Sequence, residues 1–480
     1  PMERRKVILQ KISRMEKKVK KQIVRDEELI NELINLTEYP EVAVGKFSDK
    51  YLTLPTEVLI TVLKVHQRIF AFDKTNRFLV VFNGTKRMSH AVQRGFERVV
   101  QARLEDALYY YNRDLNYGLE KMVDDLKGIV WLEGIGTVYD KVQRLVKLSA
   151  YLAAEINKRN NNRKVDGEIL AQASRYAKAD LVSQMVREKE FTRLQGVMGK
   201  YYALQAGLPK EVAQAIYEHY LPRFAGDDLP KSLYGSLLGI IDRLDTIIGA
   251  FIMDLQPTGS QDPLGLRRQA YSLVQIILEN NLHLSLTDLV NEIIKLYNRD
   301  LKLAPKIISF IYERFARYLE EKNIAYDEIK AVLVTEPSDL NDAFKKSLAL
   351  KAFRARDDFH RLVIGQKRVA NILKNVKFPS TINTEMLKEP AEIELYKKGE
   401  EIAGKLKPLL KEKNYKSALA LLLSLRENID RLFDNVLVMA EDKRLRENRL
   451  ALVNFIHALF LQVADLSQIV LEGEEIKTNP

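Results

Sequence analysis

Three side chains that can bind a metal or move a proton lie in an apolar helical stretch between residues 178 and 251. Asp180, His219 and Asp242 interrupt surfaces whose Leu, Ile, Val and Met recur at helical spacing and are therefore predicted to be buried. Carboxylate and imidazole groups from separate helices are typical of a metal centre, which normally has three or four ligands. A packed histidine at a helix end is the simpler interpretation of His219. The pattern alone leaves both interpretations open.

A turn sequence, PTGSQDPLGLRR, closes this stretch at residues 257–268. Asp262 is predicted to cap a helix that begins with Pro263. Arg267 and Arg268 then fall in the first turn, where the helix dipole disfavours cations and a bound anion offsets that repulsion. An Asp-Pro helix start is common in helical proteins, so internal structure and RNA contact both stay open for this segment.

The composition predicts a mainly α-helical protein with several domains. The 480 residues include 21 glycines and 14 prolines, which is well below the share of about 12% in an average protein. The absence of cysteine excludes disulfides, thiol catalysis and cysteine-bound zinc. No apolar run approaches the roughly 18 residues that a membrane span needs, and no signal peptide is visible. We therefore expect a cytoplasmic protein without a membrane partner.

The positive charge is concentrated in two segments. The formal net charge is +11, and residues 1–25 and 345–377 each carry ten Lys and Arg against two acids. A contact with RNA phosphates and a solvated surface are equally compatible with such charge. In the first segment the spacing predicts an amphipathic helix, with Ile8, Ile12, Met15, Val19 and Ile23 on the apolar face and Arg4, Arg5, Lys11, Lys18 and Lys21 on the other.

Residues 26–90 form the one clearly mixed α+β portion. The apolar runs at residues 69–72 and 78–82 are joined by a polar turn and predict a β-hairpin. The same portion contains two motifs, LPTEVL at residues 54–59 and HQRIFA at residues 66–71.

Four motifs resemble the beta subunit of bacterial heterotetrameric glycyl-tRNA synthetase. They are the two motifs above, KRVANIL at residues 367–373, and RLFDNVLVMAEDKRLRENRLALVNF near the C-terminus. The resemblance implies a part of the glycine–tRNA ligase that binds tRNA(Gly) and presents its acceptor end to a catalytic alpha subunit. That alpha subunit is expected to hold ATP and Mg, in an assembly of two alpha and two beta chains. Consistent with this, the sequence has no Gly-rich phosphate loop followed by lysine. We expect no catalytic residue, metal or cofactor in this chain.

The resemblance also implies a helical domain similar to HD phosphohydrolases, which hold a metal with histidines and aspartates. Ala179-Asp180 stands where that family has its His-Asp pair, and Asp242 matches its last aspartate. We therefore expect an HD-like scaffold that has lost hydrolytic chemistry. Its vestigial positions are Tyr139, Ala179, Asp180, His219 and Asp242.

The C-terminal segment resembles the helical anticodon-binding module of such subunits. Arginines there are expected to reach phosphates or base edges, and polar side chains to recognise the bases of an unpaired loop. Without the resemblance, the balance of acids and bases favours a helical bundle with surface salt bridges. The expected anticodon contacts are Arg431, Asp434, Asn435, Arg444, Arg446, Asn448 and Arg449.

Two further groups of side chains are candidates for contacts with tRNA. The basic segment is expected to contact the tRNA backbone through Lys345, Lys346, Lys351, Arg354, Arg356, Lys367 and Arg368. The acceptor side of the tRNA is expected near His66, Gln67, Arg68, Arg98, Arg103, Arg267 and Arg268.

The predicted fold is mainly α and multidomain. It comprises a basic helix with an α+β body (residues 1–112), an HD-like helical domain (113–270), a helical linker and basic domain (271–376) and a helical anticodon-binding bundle (377–480). The abrupt start at a proline suggests a fragment that lacks an N-terminal portion. Two other functions stay open: a metal-dependent HD-type phosphohydrolase acting on nucleotides or RNA, and a helical scaffold with no RNA role.

Overall fold

The chain divides into two compact units. Unit 1 comprises Pro1–Ala154 and Val165–Asp245, and unit 2 comprises Glu155–Lys164 and Thr246–Pro480. The computed structural model describes residues 1–159, 164–356, 358–374, 376 and 381–471. Helices dominate both units, which confirms the predicted fold class, while the finer domain boundaries stay a prediction. Within the described ranges, no helix is both long and apolar enough to cross a membrane.

Unit 1 combines a small antiparallel sheet with helices. Strands β1 (Pro40–Lys46), β2 (Phe70–Ala71) and β3 (Arg77–Asn83) are ordered β1-β3-β2, and β4 (Val130–Leu132) pairs with β5 (Gly136–Thr137). The helices that begin in this unit are α1 (Met2–Val19), α2 (Glu27–Leu36), α3 (Thr56–Thr61), α4 (Ser89–Tyr117), α5 (Leu119–Asp125), α6 (Val138–Arg159), α7 (Gly167–Tyr176), α8 (Gln184–Arg187), α9 (Val197–Gln205), α10 (Lys210–Glu218) and α11 (Leu233–Ile252).

The predicted hairpin is confirmed, because β2 and β3 pair antiparallel with Phe70 opposite Leu79. The longer β1–β3 pairing was not predicted; there Val42 lies opposite Val81. Side chains of β1, β2 and β3 pack with α1 and α2 in one buried cluster. Gly45 leaves room for the Phe78 ring, since a Cβ atom at Gly45 would lie 2.3 Å from it.

Helix α1 confirms the predicted apolar stripe. Ile8 and Ile12 are fully buried in the cluster with the sheet, and Met15 and Val19 pack against it. The helix ends at Val19, however, and Ile23 lies beyond it in a β-bridge with Phe72.

Unit 2 is helical. Its C-terminal part is a bundle in which α17 packs on α20 and α21, and α18 packs on α19, α20 and α21. The helices that begin in this unit are α12 (Leu266–Glu279), α13 (Leu286–Leu296), α14 (Ala304–Glu321), α15 (Tyr326–Leu333), α16 (Leu340–Arg354), α17 (Phe359–Leu373), α18 (Pro390–Lys411), α19 (Tyr415–Leu423), α20 (Arg426–Asn435) and α21 (Lys443–Leu461).

Candidate nucleic-acid interface and HD-like centre

Lys178, His219 and Asp242 meet in the interior of unit 1. The Nζ atom of Lys178 lies 2.9 Å from Nε2 of His219 and 2.9 Å from Oδ2 of Asp242. His219 Nδ1 is 2.7 Å from the carbonyl oxygen of Ile216, so its N–H donates there and Nε2 accepts from the ammonium group. The ammonium group therefore lies between the imidazole and the carboxylate that would otherwise be available to a metal.

A second ammonium group, that of Lys141 on α6, approaches the same carboxylate. Its Nζ atom lies 3.1 Å from Asp242 Oδ1 and 3.1 Å from Asp245 Oδ2. Arg144 donates to both carboxylate oxygens of Asp245, at 2.7 and 3.1 Å. Lys141, Arg144 and Asp245 are buried. Two carboxylates thus face three cationic side chains in a region shielded from water.

The pKa shifts follow from this geometry. Burial lowers the pKa of Lys178, and burial together with the Lys178 charge lowers the pKa of His219 well below its ordinary value. Burial raises the pKa of Asp242, but the charges of Lys141 and Lys178 outweigh it and hold that pKa well below its usual range. An ionised carboxylate and a neutral imidazole are therefore both satisfied by lysine.

Asp180 caps a helix. Its Oδ2 atom accepts the N–H groups of Gly196 and Gly199, at 2.6 and 2.9 Å, at the N-terminal end of α9. Its Oδ1 atom is buried and has no hydrogen-bond partner among the described residues, and burial raises the pKa of Asp180 to about 6. Neighbouring side chains pack closely against both glycines and leave no room for a Cβ atom. At Gly196 such an atom would lie 2.6 Å from the Tyr220 ring, and at Gly199 it would lie 2.7 Å from Ile216.

The other two vestigial positions are occupied by packing side chains. Ala179 is fully buried, and Tyr139 packs against a small core cluster with the Lys127 ammonium group 4.7 Å from the centre of its ring. Throughout the described part of the chain, no group of three or more His, Cys, Asp or Glu could hold a metal ion. The geometry of this centre favours the expected scaffold over the hydrolase alternative.

The turn at residues 257–268 corrects the predicted helix start. Helix α12 begins at Leu266 rather than at Pro263, and Gly265 is its N-cap. The Asp262 carboxylate accepts the N–H groups of Leu266 and Arg267, at 2.7 and 3.0 Å. Asp262 therefore itself supplies the negative charge that the sequence suggested for a bound anion. The Arg267 guanidinium donates to the carbonyl oxygen of Gly259 at 2.8 Å, and the Arg268 guanidinium packs over Gly265.

The remaining acceptor-side candidates belong to unit 1. Arg68 and Arg103 form ion pairs with the neighbouring glutamates Glu32 and Glu190. Arg98 is exposed on α4 and has no carboxylate partner among the described residues. Gln67 is partly exposed, and the side chain of His66 lies outside the described residues.

The basic segment does not present its charges as one outward face. Arg354 donates to Asp327 at 2.7 Å and lies 3.3 Å from Glu328, and both carboxylates are buried. The Lys346 side chain is 12% exposed and lies 3.7 Å from Asp342, and burial lowers its pKa. The expectation that Lys346 contacts the tRNA backbone is therefore corrected, because this side chain is largely buried in unit 2. Arg354 is engaged by two carboxylates, but its side chain is 35% exposed, so for Arg354 backbone contact stays a prediction.

The other cations of this segment are more accessible. Arg356 forms two hydrogen bonds of 2.9 Å with Asp358, and exposed Lys351 donates to a backbone carbonyl at 3.4 Å. Lys345 is exposed and Lys367 is partly exposed. For these residues backbone contact stays a prediction.

Arg449 and Asn448, which were expected to recognise the anticodon, are buried. Arg449 forms an ion pair with Glu392, whose side chain is fully buried, and donates to the carbonyl oxygen of Leu437 at 2.8 Å. Asn448 exchanges two hydrogen bonds with the backbone of Asn383, at 2.7 and 3.1 Å. In this arrangement both side chains fix the backbone of the module, which corrects the expectation of direct base contact.

The backbone that Arg449 fixes belongs to the connection between α20 and α21. We call its first five residues, 436–440, the 436–440 loop. Its even-numbered residues are buried, whereas Leu437 and Met439 are 70% and 46% exposed. Arg446 donates to the carbonyl oxygen of Ala440 at 3.1 Å. Two arginine–carbonyl bonds thus hold the loop so that one apolar pair projects into solvent.

Aromatic and charged side chains directly precede the 436–440 loop. The Arg368 guanidinium lies 5.4 Å from the centre of the Phe433 ring and 3.9 Å from Asp434 Oδ1. Asn435 donates to the carbonyl oxygen of Arg431 at 3.1 Å. Together with the Arg431–Glu394 ion pair of 3.1 Å and exposed Arg444, they form a mixed surface of the kind that binds unpaired bases.

Two families match this chain. The family described as glycyl-tRNA synthetase beta subunit matches residues 1–334, and the DALR anticodon binding domain matches residues 364–469. The chain belongs to the glycyl-tRNA synthetase beta subunit family. The 436–440 loop lies inside the anticodon-binding match.

Curated relatives named glycine–tRNA ligase beta subunit are similar over nearly the whole chain. The protein of Desulforamulus reducens is 37% identical over 98% of this chain and 69% of its own length. Those of Sulfurihydrogenibium sp. and Coxiella burnetii are each 39% identical over 93% of this chain, and over 64% and 65% of their own lengths. The chain thus spans about two thirds of the length of these glycyl-tRNA synthetase relatives.

Sequence analysis did not identify Leu437 and Met439 as surface residues. The segment VLVMA at residues 436–440 is apolar throughout and predicts a buried core, so its composition does not distinguish the exposed positions. Residues 438 and 439 form a turn, so no regular alternation along the sequence points to the two exposed positions.

Proposed function

We propose that this chain is the tRNA-binding subunit of a glycine–tRNA ligase. It recognises tRNA(Gly) and holds the acceptor end for a catalytic alpha subunit, where ATP and Mg support formation of glycyl-adenylate. Its contribution to catalysis is to position the acceptor end. Family membership supports this assignment, as do the lysines that occupy the HD-like centre. An assembly of two alpha and two beta chains in the cytoplasm is part of the proposal.

The observation that carries the proposal is the exposed pair Leu437 and Met439 within the anticodon-binding match. Unpaired bases of an anticodon loop present apolar faces that cover such side chains. Fully burying a Leu or Met side chain stabilises by roughly 1.5–3 kcal/mol. Because the two are only partly exposed, we expect the pair to contribute about 2–3 kcal/mol, or roughly 30-fold or more in affinity.

The test is binding of the chain to tRNA transcripts with glycine, alanine and arginine identities across a salt series. We expect the glycine transcript to bind most tightly, and its advantage to fall when the anticodon bases are exchanged. Leu437→Ser/Met439→Ser is expected to abolish that advantage. The control Met88→Ser/Leu301→Ser changes the same residue types at 48% and 42% exposure and should retain it. Equal binding to all three transcripts, or equal effects of the two variants, contradicts the proposal.

A further inference from the structure

Helix α1 carries cations on two sides. The cations on one side have hydrogen-bond or ion-pair partners elsewhere in unit 1. On the side that borders the sheet, Arg4 donates to the carbonyl oxygen of Thr37 at 2.8 Å. Lys11 lies 2.8 Å from the Glu41 carboxylate, and Arg5 lies 2.7 Å from a carboxylate oxygen of α2. The sequence placed these three cations outside the apolar stripe, and in the structure each of them has a partner within unit 1.

The opposite side of α1 carries cations without such partners. Lys6, Arg14 and Lys17 recur with Gln10 and Ser13 at intervals of three or four residues, which places them along one helix face. Lys20 and Lys21 continue this line beyond the helix end. Judged on the residues that the structure describes, the five cationic side chains have no ion pair or hydrogen bond. We call this set, from Lys6 to Lys21, the α1 ridge.

Two open grooves follow the α1 ridge. One, of about 490 Å³, is lined by Lys6, Gln10, Arg14 and their neighbours, and the other, of about 810 Å³, is lined by Lys20, Lys21 and the chain beyond them. Ser13 and Lys17 line both grooves, so the two are continuous along the helix.

Two acids, Glu16 and Asp73, also line the larger groove. The Glu16 carboxylate accepts the N–H group of Ile23 at 3.1 Å and lies 4.0 Å from the guanidinium of Arg25. Glu16 is thus already engaged by the protein, and the lysines of the groove outnumber the two acids.

Helix stability does not explain this arrangement. Cations near a helix C-terminus interact favourably with its dipole, which accounts for Lys17 at the end of α1. Lys6 and Arg14 lie outside the first and last turns of α1, where the dipole has little effect on a charge. Unpaired like charges on one face repel each other, and a polyanion relieves that repulsion.

We propose that the α1 ridge binds phosphate groups of the tRNA backbone. From Lys6 to Lys17 the helix rises about 16 Å, which is long enough to face several successive phosphates. Gln10 and Ser13 lie between the cations and can donate hydrogen bonds to the same groups. The proposal rests on the proposed function and adds a surface in unit 1 to the one at the 436–440 loop. Because it contacts tRNA phosphates and not bases, this surface provides affinity and salt dependence without base preference.

The test compares two variants that remove the same charge from unit 1. Lys6→Gln/Arg14→Gln/Lys17→Gln changes the ridge. Lys189→Gln/Arg193→Gln/Lys210→Gln changes two lysines and one arginine at other exposed positions, which have no ion pair with any residue that the structure describes. Binding to the tRNA(Gly) transcript is measured between low and physiological salt, and circular dichroism confirms that both variants fold. Three lost phosphate contacts should reduce the slope of log affinity against log salt by about 2–3.

We expect the ridge variant to show that reduction with an unchanged preference for the glycine transcript over the alanine transcript. The control should keep a slope close to that of the wild type. Equal reductions of the slope in both variants would mean that net charge alone matters. An unchanged slope in the ridge variant would mean that the phosphates bind elsewhere. Either result overturns phosphate binding by the α1 ridge, while tRNA binding by the wild type stands. A wild-type chain that binds no tRNA at low salt overturns the proposed function and the ridge with it.

Discussion

Replacing Lys178 by methionine removes the central charge of the HD-like centre while keeping the length of the side chain. In the wild type, Lys178 Nζ lies 2.9 Å from Asp242 Oδ2, and only 8% and 13% of these side chains are exposed. The variant leaves Asp242 Oδ2 and His219 Nε2 without this donor in the protein interior. Lys141 stays 3.1 Å from Asp242 Oδ1, so the carboxylate keeps one cationic partner. Each of the two buried acceptors that loses its donor costs roughly 1–3 kcal/mol, or about 2–6 kcal/mol together.

This cost should appear in the thermal midpoint of unit 1, measured by differential scanning calorimetry. Unit 1 has about 235 residues, and for a body of this size 1 kcal/mol corresponds to about 2–4 °C. We therefore expect Lys178→Met to lower the midpoint by roughly 4–24 °C. The control Lys231→Met removes a cation 3.7 Å from Asp228, where the side chains are 80% and 77% exposed, and should leave the midpoint unchanged.

A double variant identifies the cause of the loss. Lys178→Met/Asp242→Asn removes both partners of this pair, and Lys141 keeps Asp245 as its partner. We expect its loss of stability to be smaller than the sum of the losses in Lys178→Met and Asp242→Asn, a coupling that a double-mutant cycle measures. A midpoint for Lys178→Met no lower than that of Lys231→Met would show that the ammonium group does not stabilise Asp242 and His219.

Three other variants test buried contacts by urea unfolding. Burial raises the pKa of Asp180 to about 6 from 3.8, so its stabilising contribution is present at low pH and is lost as pH rises through this window. Asp180→Asn cannot titrate, and its stability relative to wild type should rise by up to roughly 3 kcal/mol between pH 4 and pH 7; a constant difference would contradict the shift. Gly199→Ala places a Cβ atom 2.7 Å from Ile216 and should cost about 1–3 kcal/mol, whereas Gly95→Ala meets open space within a helix and should stabilise the protein. The opposite order would show that the packing around Gly199 is loose. Arg449→Met leaves Glu392 buried and unpaired and should cost roughly 3–5 kcal/mol, while exposed Arg444→Met should cost less than about 0.5 kcal/mol. Equal stability of these two variants would restore Arg449 as a candidate for direct contact with RNA.

Local patterns in the sequence predicted local structure well. The spacing of Ile8 and Ile12 predicts the buried face of α1, and the runs at residues 69–72 and 78–82 predict the hairpin, because neighbouring residues decide both. The β1–β3 pairing joins Val42 to Val81 and depends on contacts distant along the chain. The prediction of where α12 starts was wrong for a different reason. Asp262 does cap the helix, but a tighter turn follows it, and the first helical residue is Leu266.

The partners of charged residues could not be predicted from spacing. Arg449 and Glu392 are 57 residues apart, and Lys178 and His219 are 41 residues apart, yet each pair is in contact inside the fold. The sequence around an arginine does not show whether its side chain pairs with a buried carboxylate or is free to bind a phosphate. The motif around residues 444–449 therefore located the anticodon-binding module correctly. In the structure Asn448 and Arg449 are buried, and Leu437 and Met439 are exposed in addition to Arg444.

A nuclease footprint of tRNA(Gly) bound to this chain tests whether the 436–440 loop contacts the anticodon. We expect the bound chain to protect the anticodon loop, Leu437→Ser/Met439→Ser to remove this protection, and Met88→Ser/Leu301→Ser to retain it. An anticodon loop that is cleaved equally in free tRNA and in tRNA saturated with the wild-type chain would contradict anticodon binding by this chain.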